Sequence, residues 1–202
     1  MKKIITVSLF LVAAVICRAQ QKGSSEVYLN WNLSTPLQHD FVKDFSASGA
    51  TAGYNFFISN NLAIGGELGW NNYDTYYSRQ TNYSKTGAFT TDMYRYIFTL
   101  PITATVTKYF PVSKLVSPYA KLGLGTLYSE QNKYYNIYEE ANSNWGFTAV
   151  PEVGVRVKTG ASNQWSLNAG VQYRYATNNN TDYSINNIQS LNFNIGASWR
   201  IR

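Results

Sequence analysis

Leu191-Asn192-Phe193-Asn194-Ile195-Gly196-Ala197-Ser198-Trp199-Arg200-Ile201-Arg202 closes the sequence with an alternation that only one backbone shape explains. Leu191, Phe193, Ile195, Ala197, Trp199 and Ile201 share one parity, and Asn, Gly, Ser and Arg fill the other. Successive side chains of a strand point to opposite faces, so this period of two predicts a strand with one apolar and one polar face.

Seven earlier segments read the same way, over 26–37, 45–59, 62–74, 92–110, 118–129, 145–158 and 164–176. The connections between them alternate in length. The Asn60-Asn61 turn and 159–163 are short and 111–117 is medium, whereas the odd-numbered connections, 38–44, 75–91, 130–144 and 177–189, form the longer, strongly polar set. Bulky residues on one face, small polar ones on the other, and alternating loop lengths point to a transmembrane barrel, with short periplasmic turns and long external loops. The expected fold is all-β: an eight-stranded antiparallel up-and-down transmembrane β-barrel in the cell outer membrane of a Gram-negative envelope.

The amino end predicts how the chain is exported. Met1-Lys2-Lys3 is followed by an apolar run over 4–16 that only Thr6 and Ser8 interrupt, and Cys17-Arg18-Ala19 offers small residues for cleavage. Residues 1–19 are thus expected to be a cleaved signal peptide, with 20–202 forming the barrel domain. Acylation at Cys17 is the rival, disfavoured by bulky Ile16. Without Cys17 the mature chain holds no cysteine, which excludes disulfides and thiolate chemistry. Losing Lys2, Lys3 and Arg18 lowers the net charge from +6 to +3. No clustered basic stripe remains, and a nucleic-acid partner is not expected. The 17 Tyr, 5 Trp and 10 Phe beside a mean hydropathy of −0.27 suit a wall whose two faces cancel in any window average.

Several residues qualify the pattern. Pro101 and Pro151 fall inside segments that a closed barrel pairs on both sides. Proline donates nothing to a ladder, so local bulges are expected there. Ile97 and Val150 lie on the polar parity. Trp70, Tyr94, Tyr96, Tyr128, Phe147, Tyr173 and Tyr175 should form an outer aromatic girdle, and Phe56, Tyr109, Phe110, Tyr119, Trp165 and Trp199 a periplasmic one.

Leu100-Pro101-Ile102 leading to Lys108-Tyr109-Phe110, the run Pro118-Tyr119-Ala120-Lys121-Leu122-Gly123-Leu124-Gly125, and Pro151-Glu152-Val153-Gly154-Val155 carry a resemblance. With the Ala19-Gln20 processing site and the closing strand, the chain resembles the small outer-membrane β-barrel proteins of the porin/opacity type, as in Bacteroidetes-like bacteria. The resemblance spans the mature chain and implies architecture more than activity. Such barrels include adhesins, narrow pores, structural proteins and a few lipid enzymes. Where many of them end on an aromatic residue read by the insertion machinery, this chain has Trp199-Arg200-Ile201-Arg202. No appended peptidoglycan-binding domain is expected after it.

Candidate chemistry is sparse. Glu67 and Glu152 share the inward parity with Arg95, Lys121, Arg156, Arg174 and Arg200, which fits a hydrogen-bonded ionic plug; the rival is a narrow anion-preferring pore. His39, the single histidine, adjoins Asp40 and lies near Ser34 on the first external loop. A serine hydrolase would need these three to converge, but the small lipid A deacylase barrels carry their His and Ser late in the chain. Catalytic, metal-binding and cofactor-binding residues are therefore expected to be absent, and no enzyme is expected. Tyr76, Tyr77, Tyr83, Tyr134, Tyr135, Tyr138 and Tyr183 stand among small polar residues in the external loops. That composition suits either soluble loops or an adaptable contact surface. The expectation is a monomer with a structural or surface-interaction role. Its partners would be outer-membrane lipids, lipopolysaccharide, the insertion machinery and an extracellular ligand held by the loops.

Overall fold

The computed structural model describes residues 23–37, 41–84, 87–135, 138–159 and 164–201. The signal peptide of 1–19, His39 with Asp40, and Arg202 lie outside the described residues. Eight strands follow in order: β1 (Ser25–Pro36), β2 (Gly49–Ser59), β3 (Leu62–Ser84), β4 (Gly87–Tyr109), β5 (Val116–Tyr135), β6 (Tyr138–Thr159), β7 (Trp165–Ala176) and β8 (Ile188–Ile201). Each pairs antiparallel with its sequence neighbour. β1 closes the ring on β8 from Ser25↔Ile201 to Pro36↔Ser190.

The burial pattern is that of a protein turned inside out. On β1, Leu29 is 60% exposed while Asn32 is fully buried, and Ile195 on β8 is 56% exposed while Asn192 and Asn194 are buried. Water would not sustain such a wall, because each exposed Leu or Ile forfeits burial worth ~1.5–3 kcal/mol. Hydrocarbon does sustain it. Closure gives the interior strand segments ladder partners on both sides, which a membrane-spanning backbone requires. The end bearing the long hairpins is external by the general rule for such barrels.

The four central strands are longer than the alternation over 62–74, 92–110, 118–129 and 145–158 predicts. Residues 75–84, 87–91, 130–135 and 138–144 are strand and not loop. They continue the ladder through Ser84↔Gly87 and Tyr135↔Tyr138, so β3 to β6 form a sheet projecting beyond the barrel rim. Their Tyr and Thr favour pleated backbone, and the polarity that marks them as loops in sequence reflects an outward face beyond hydrocarbon and an inner face that buries polar Thr75 and Gln131.

The proline bulges are not found. The β3–β4 ladder omits the pairs at Leu100 and Pro101 and resumes in the same register, from Leu68↔Ile102 to Asn71↔Thr99. The β6–β7 ladder does likewise around Pro151, between Ala149↔Tyr175 and Glu152↔Gln172. Register shifts occur instead between Phe57 and Ser59 and between Tyr77 and Gln80, near strand ends, where an extra residue disturbs few neighbours.

Two tyrosines of the expected periplasmic girdle also turn inward. Tyr109 and Tyr119 are buried in the lumen, because they share parity with Thr105 and Thr107 on β4 and with Lys121 on β5. Tyr119 lies over the cross-strand pair Gly154↔Gly170, where a Cβ would come within 2.6 Å and 2.8 Å of its hydroxyl. Tyr28 occupies the corresponding space over Gly53. Trp165 and Trp199 do face outward, stacked at 6.2 Å.

Leu122 stands mid-strand on the outward wall. Leu122→Arg should lower stability by ~2–4 kcal/mol in equilibrium urea unfolding from lipid vesicles. Tolerance of arginine there would place this face away from lipid.

Candidate functional site

Three layers fill the lumen. At the turn end Glu26 pairs with Arg156 at 2.8 Å, and Tyr109 donates to the same carboxylate at 3.2 Å. The Arg156 guanidinium lies 3.9 Å from the Tyr109 ring centre, and Arg200 lies 4.2 Å from that of Phe57. In the middle Lys121 bridges two carboxylates, Glu67 and, at 2.9 Å, Glu152. Tyr28 donates to Glu67 at 2.8 Å and Tyr119 to Glu152 at 2.6 Å. Gln172 and Asn194 each add a 2.9 Å bond to Glu152. Above them Arg174 donates to Asn71 at 2.8 Å and to Gln172 at 3.3 Å.

Among the described residues, the buried charges are Glu26, Glu67 and Glu152 against Lys121, Arg156 and Arg174. That is neutral overall. The inward parity alone suggests two acids among five cations, and the difference has two sources. Glu26 shares the parity of Tyr28 and Asn30 and belongs to the set. Arg95 and Arg200 sit nearer the two ends of the barrel, against aromatic rings. Arg174 takes neutral partners. A cavity of about 20 Å³ beside Lys121, between Tyr28, Tyr109 and Tyr119, has room for roughly one water.

An apolar cap closes the outer end. Phe41 and Val42 of the first external connection pack on Tyr73, Ile97, Leu127, Ala176, Ile185 and Ile188. Ile97, out of phase as a lipid-facing residue, is thus in phase as a cap residue. A second cavity of about 100 Å³ lies within this cap. Nothing in the alternation announces the adjacent pair Phe41-Val42 or the lone Ile185, which interrupt polar connections.

Cations ring the cap. Arg95 lies over Tyr77 at 4.3 Å and Phe41 at 5.4 Å, and Lys133 lies over Tyr183 at 3.8 Å. Arg95 and Lys133 are direct cross-strand partners. Burial holds the Lys133 ammonium below its ordinary pKa, and the neighbouring Arg95 charge adds to this.

Ser34 is buried in the lumen wall and accepts from Asn71 at 2.8 Å, which leaves no room for a substrate at its hydroxyl. His39 and Asp40 lie outside the described residues. Among those described, no cluster of three or more His, Cys, Asp or Glu could hold a metal ion.

Lys121 is the hinge of the middle layer. Lys121→Met strands two buried carboxylates and should cost ~3–5 kcal/mol of unfolding stability. Glu67→Gln leaves Lys121 its second partner and should cost less. In a double-mutant cycle, Lys121→Met with Glu67→Gln should be less damaging than the two losses added. Strict additivity would mean that Lys121 and Glu67 are not coupled.

Several solved barrels are similar to this chain. Ail, the attachment invasion locus protein of Yersinia pestis, aligns at TM-score 0.55 and 12% identity, covering 90% of this chain and 100% of that one. Neisserial surface protein A aligns at 0.54 and 15%, covering 88% and 96%. A major outer membrane protein from Thermus thermophilus aligns at 0.57 and 11%, covering 90% and 100%. At such identities the likeness shows the fold. No curated protein matches the sequence. The family described as Outer membrane protein beta-barrel domain matches residues 7–200. An inverted wall, a closed eight-strand ring and that match agree: the chain belongs to this family of small outer-membrane β-barrels and resides in the cell outer membrane.

Proposed function

We propose that this protein is a closed, non-conducting and non-enzymatic barrel that holds its projecting β3–β6 sheet and capped outer mouth as a surface for contacts outside the cell. The observation that carries this reading is the filled, charge-balanced lumen. Three carboxylates pair with Lys121 and Arg156, amides hold the third cation, Arg174, and the apolar cap covers them all. An ion crossing this interior would have to break pairs buried on both sides, and a neutral lining offers no preference for anions. The contact role draws support from the outer aromatics and from the cations Lys43, Arg95 and Lys133 around the cap. Ail, similar in fold, is named for attachment and invasion. The protein acts as a monomer, its apolar wall facing lipid on every side, with outer-leaflet glycolipid and an extracellular ligand as partners.

Planar-bilayer recording of the refolded protein tests the closed lumen. No steady conductance is expected from the wild type. Steady anion-preferring current, shifted in selectivity by Glu67→Gln or Glu152→Gln without loss of stability, would establish a narrow pore instead.

A further inference from the structure

The outward face of the projecting sheet carries an arrangement that the lumen and cap do not explain. Cross-strand registers define rungs on this face above the girdle pair Tyr128↔Trp145, whose rings stand 5.2 Å apart, and they lift Tyr94 and Tyr96 out of the outer girdle expected from the sequence. The first rung holds Asn72, Phe98 and Glu130; the second holds Asp74, Tyr96 and Asn132; the third holds Tyr76, Tyr94, Tyr134 and Glu139. Tyr96 stacks on Tyr94 at 6.4 Å and meets the edge of Tyr134 at 5.4 Å. Asn132 donates to Glu130 at 3.1 Å, and Tyr134 to Glu139 at 2.8 Å. Asp74, Tyr94, Tyr96, Glu130, Asn132 and Tyr134 border a lateral cleft of about 510 Å³, with no Lys or Arg in its lining among the described residues.

We infer that this cleft binds hexose rings in the carbohydrate of the outer-leaflet glycolipid. Position is the first reason. Girdle aromatics settle at the lipid headgroups, and two rungs add roughly 13 Å along the strand. Tyr96 and Asp74 therefore face sideways into the sugar layer above the acyl chains. Chemistry is the second. The partly positive C–H face of a pyranose suits the negative face of an aromatic ring, and carboxylates with an amide accept and donate to ring hydroxyls. Charge is the third. Asp74 and Glu130, with no cation beside them in the cleft lining, repel phosphate, so the sugar and not the phosphate is recognised. This inference rests on the proposed glycolipid partnership, and its outcome is independent of whether the lumen conducts.

The test is calorimetric titration of the refolded protein in an amine-oxide detergent, which carries no sugar. The probes are rough-type lipopolysaccharide, the same glycolipid after removal of its phosphates, and phosphatidylglycerol. Both glycolipids should bind, the phosphate-free form at least as tightly, and phosphatidylglycerol should not compete. Tyr96→Ala should weaken glycolipid binding roughly tenfold, since it removes a stacking face. Tyr96→Phe should keep the affinity, and Trp165→Ala at the opposite rim should not change it. Faster gel migration of unboiled samples establishes that each variant is folded. Unchanged affinity in folded Tyr96→Ala, loss of binding on dephosphorylation, or equal binding of phosphatidylglycerol would overturn the proposal. So would a folded protein that binds no glycolipid, which would leave this wall to a protein partner.

Discussion

Everything in this molecule follows from the requirement that backbone N–H and C=O groups find partners where no water reaches them. An open sheet in hydrocarbon would expose unpaired groups at both edges. The β1–β8 ladder removes those edges, and closure in turn creates an inside. The alternation of a strand then has two destinations, lipid and lumen, and the usual arrangement of core and surface is exchanged. Polar side chains are buried because the lumen is their only refuge, and their charges must be matched there.

That matching shapes the interior more than any single pair does. Lys121 serves two carboxylates, and each carboxylate also receives a tyrosine hydroxyl. Such an arrangement lets one cation satisfy acids from β3 and β6 across the bore. It tolerates the loss of one acid better than the loss of the lysine. Arg174, by contrast, is held by amides that could equally hold water.

How much of this can be read in the sequence depends on what surrounds each residue. The segments that end near lipid, such as 26–37 and 164–176, are legible to within a residue or two, because one face meets hydrocarbon and must be apolar. The projecting parts of β3 to β6 leave the hydrocarbon behind and bury polar Thr75 and Gln131 on the inner face, so the apolar alternation fades although the strands go on. Tyr109 and Tyr119 suit a girdle by residue type, since tyrosine favours an interface. Their parity points inward, and parity prevails. Ile97 and Val150 look like flaws of alternation and mark where the lumen turns apolar or tightly packed. Glu26 is legible by parity from its neighbours Tyr28 and Asn30, but its partner Arg156 lies 130 positions away, beyond any local pattern.

The placement of Tyr119 over the Gly154↔Gly170 pair bears on how the barrel finds its register while assembling. A one-residue slip between β5 and β6 would reverse every face and meet immediate resistance from lipid. A two-residue slip would not, since apolar side chains would still face outward. In that slipped pairing Tyr119 would oppose Glu152 or Arg156 in place of Gly154, with a side chain where its ring must lie. The tyrosine thereby acts as a gauge that three strands must satisfy together, and it rejects the one error that the membrane itself would let pass.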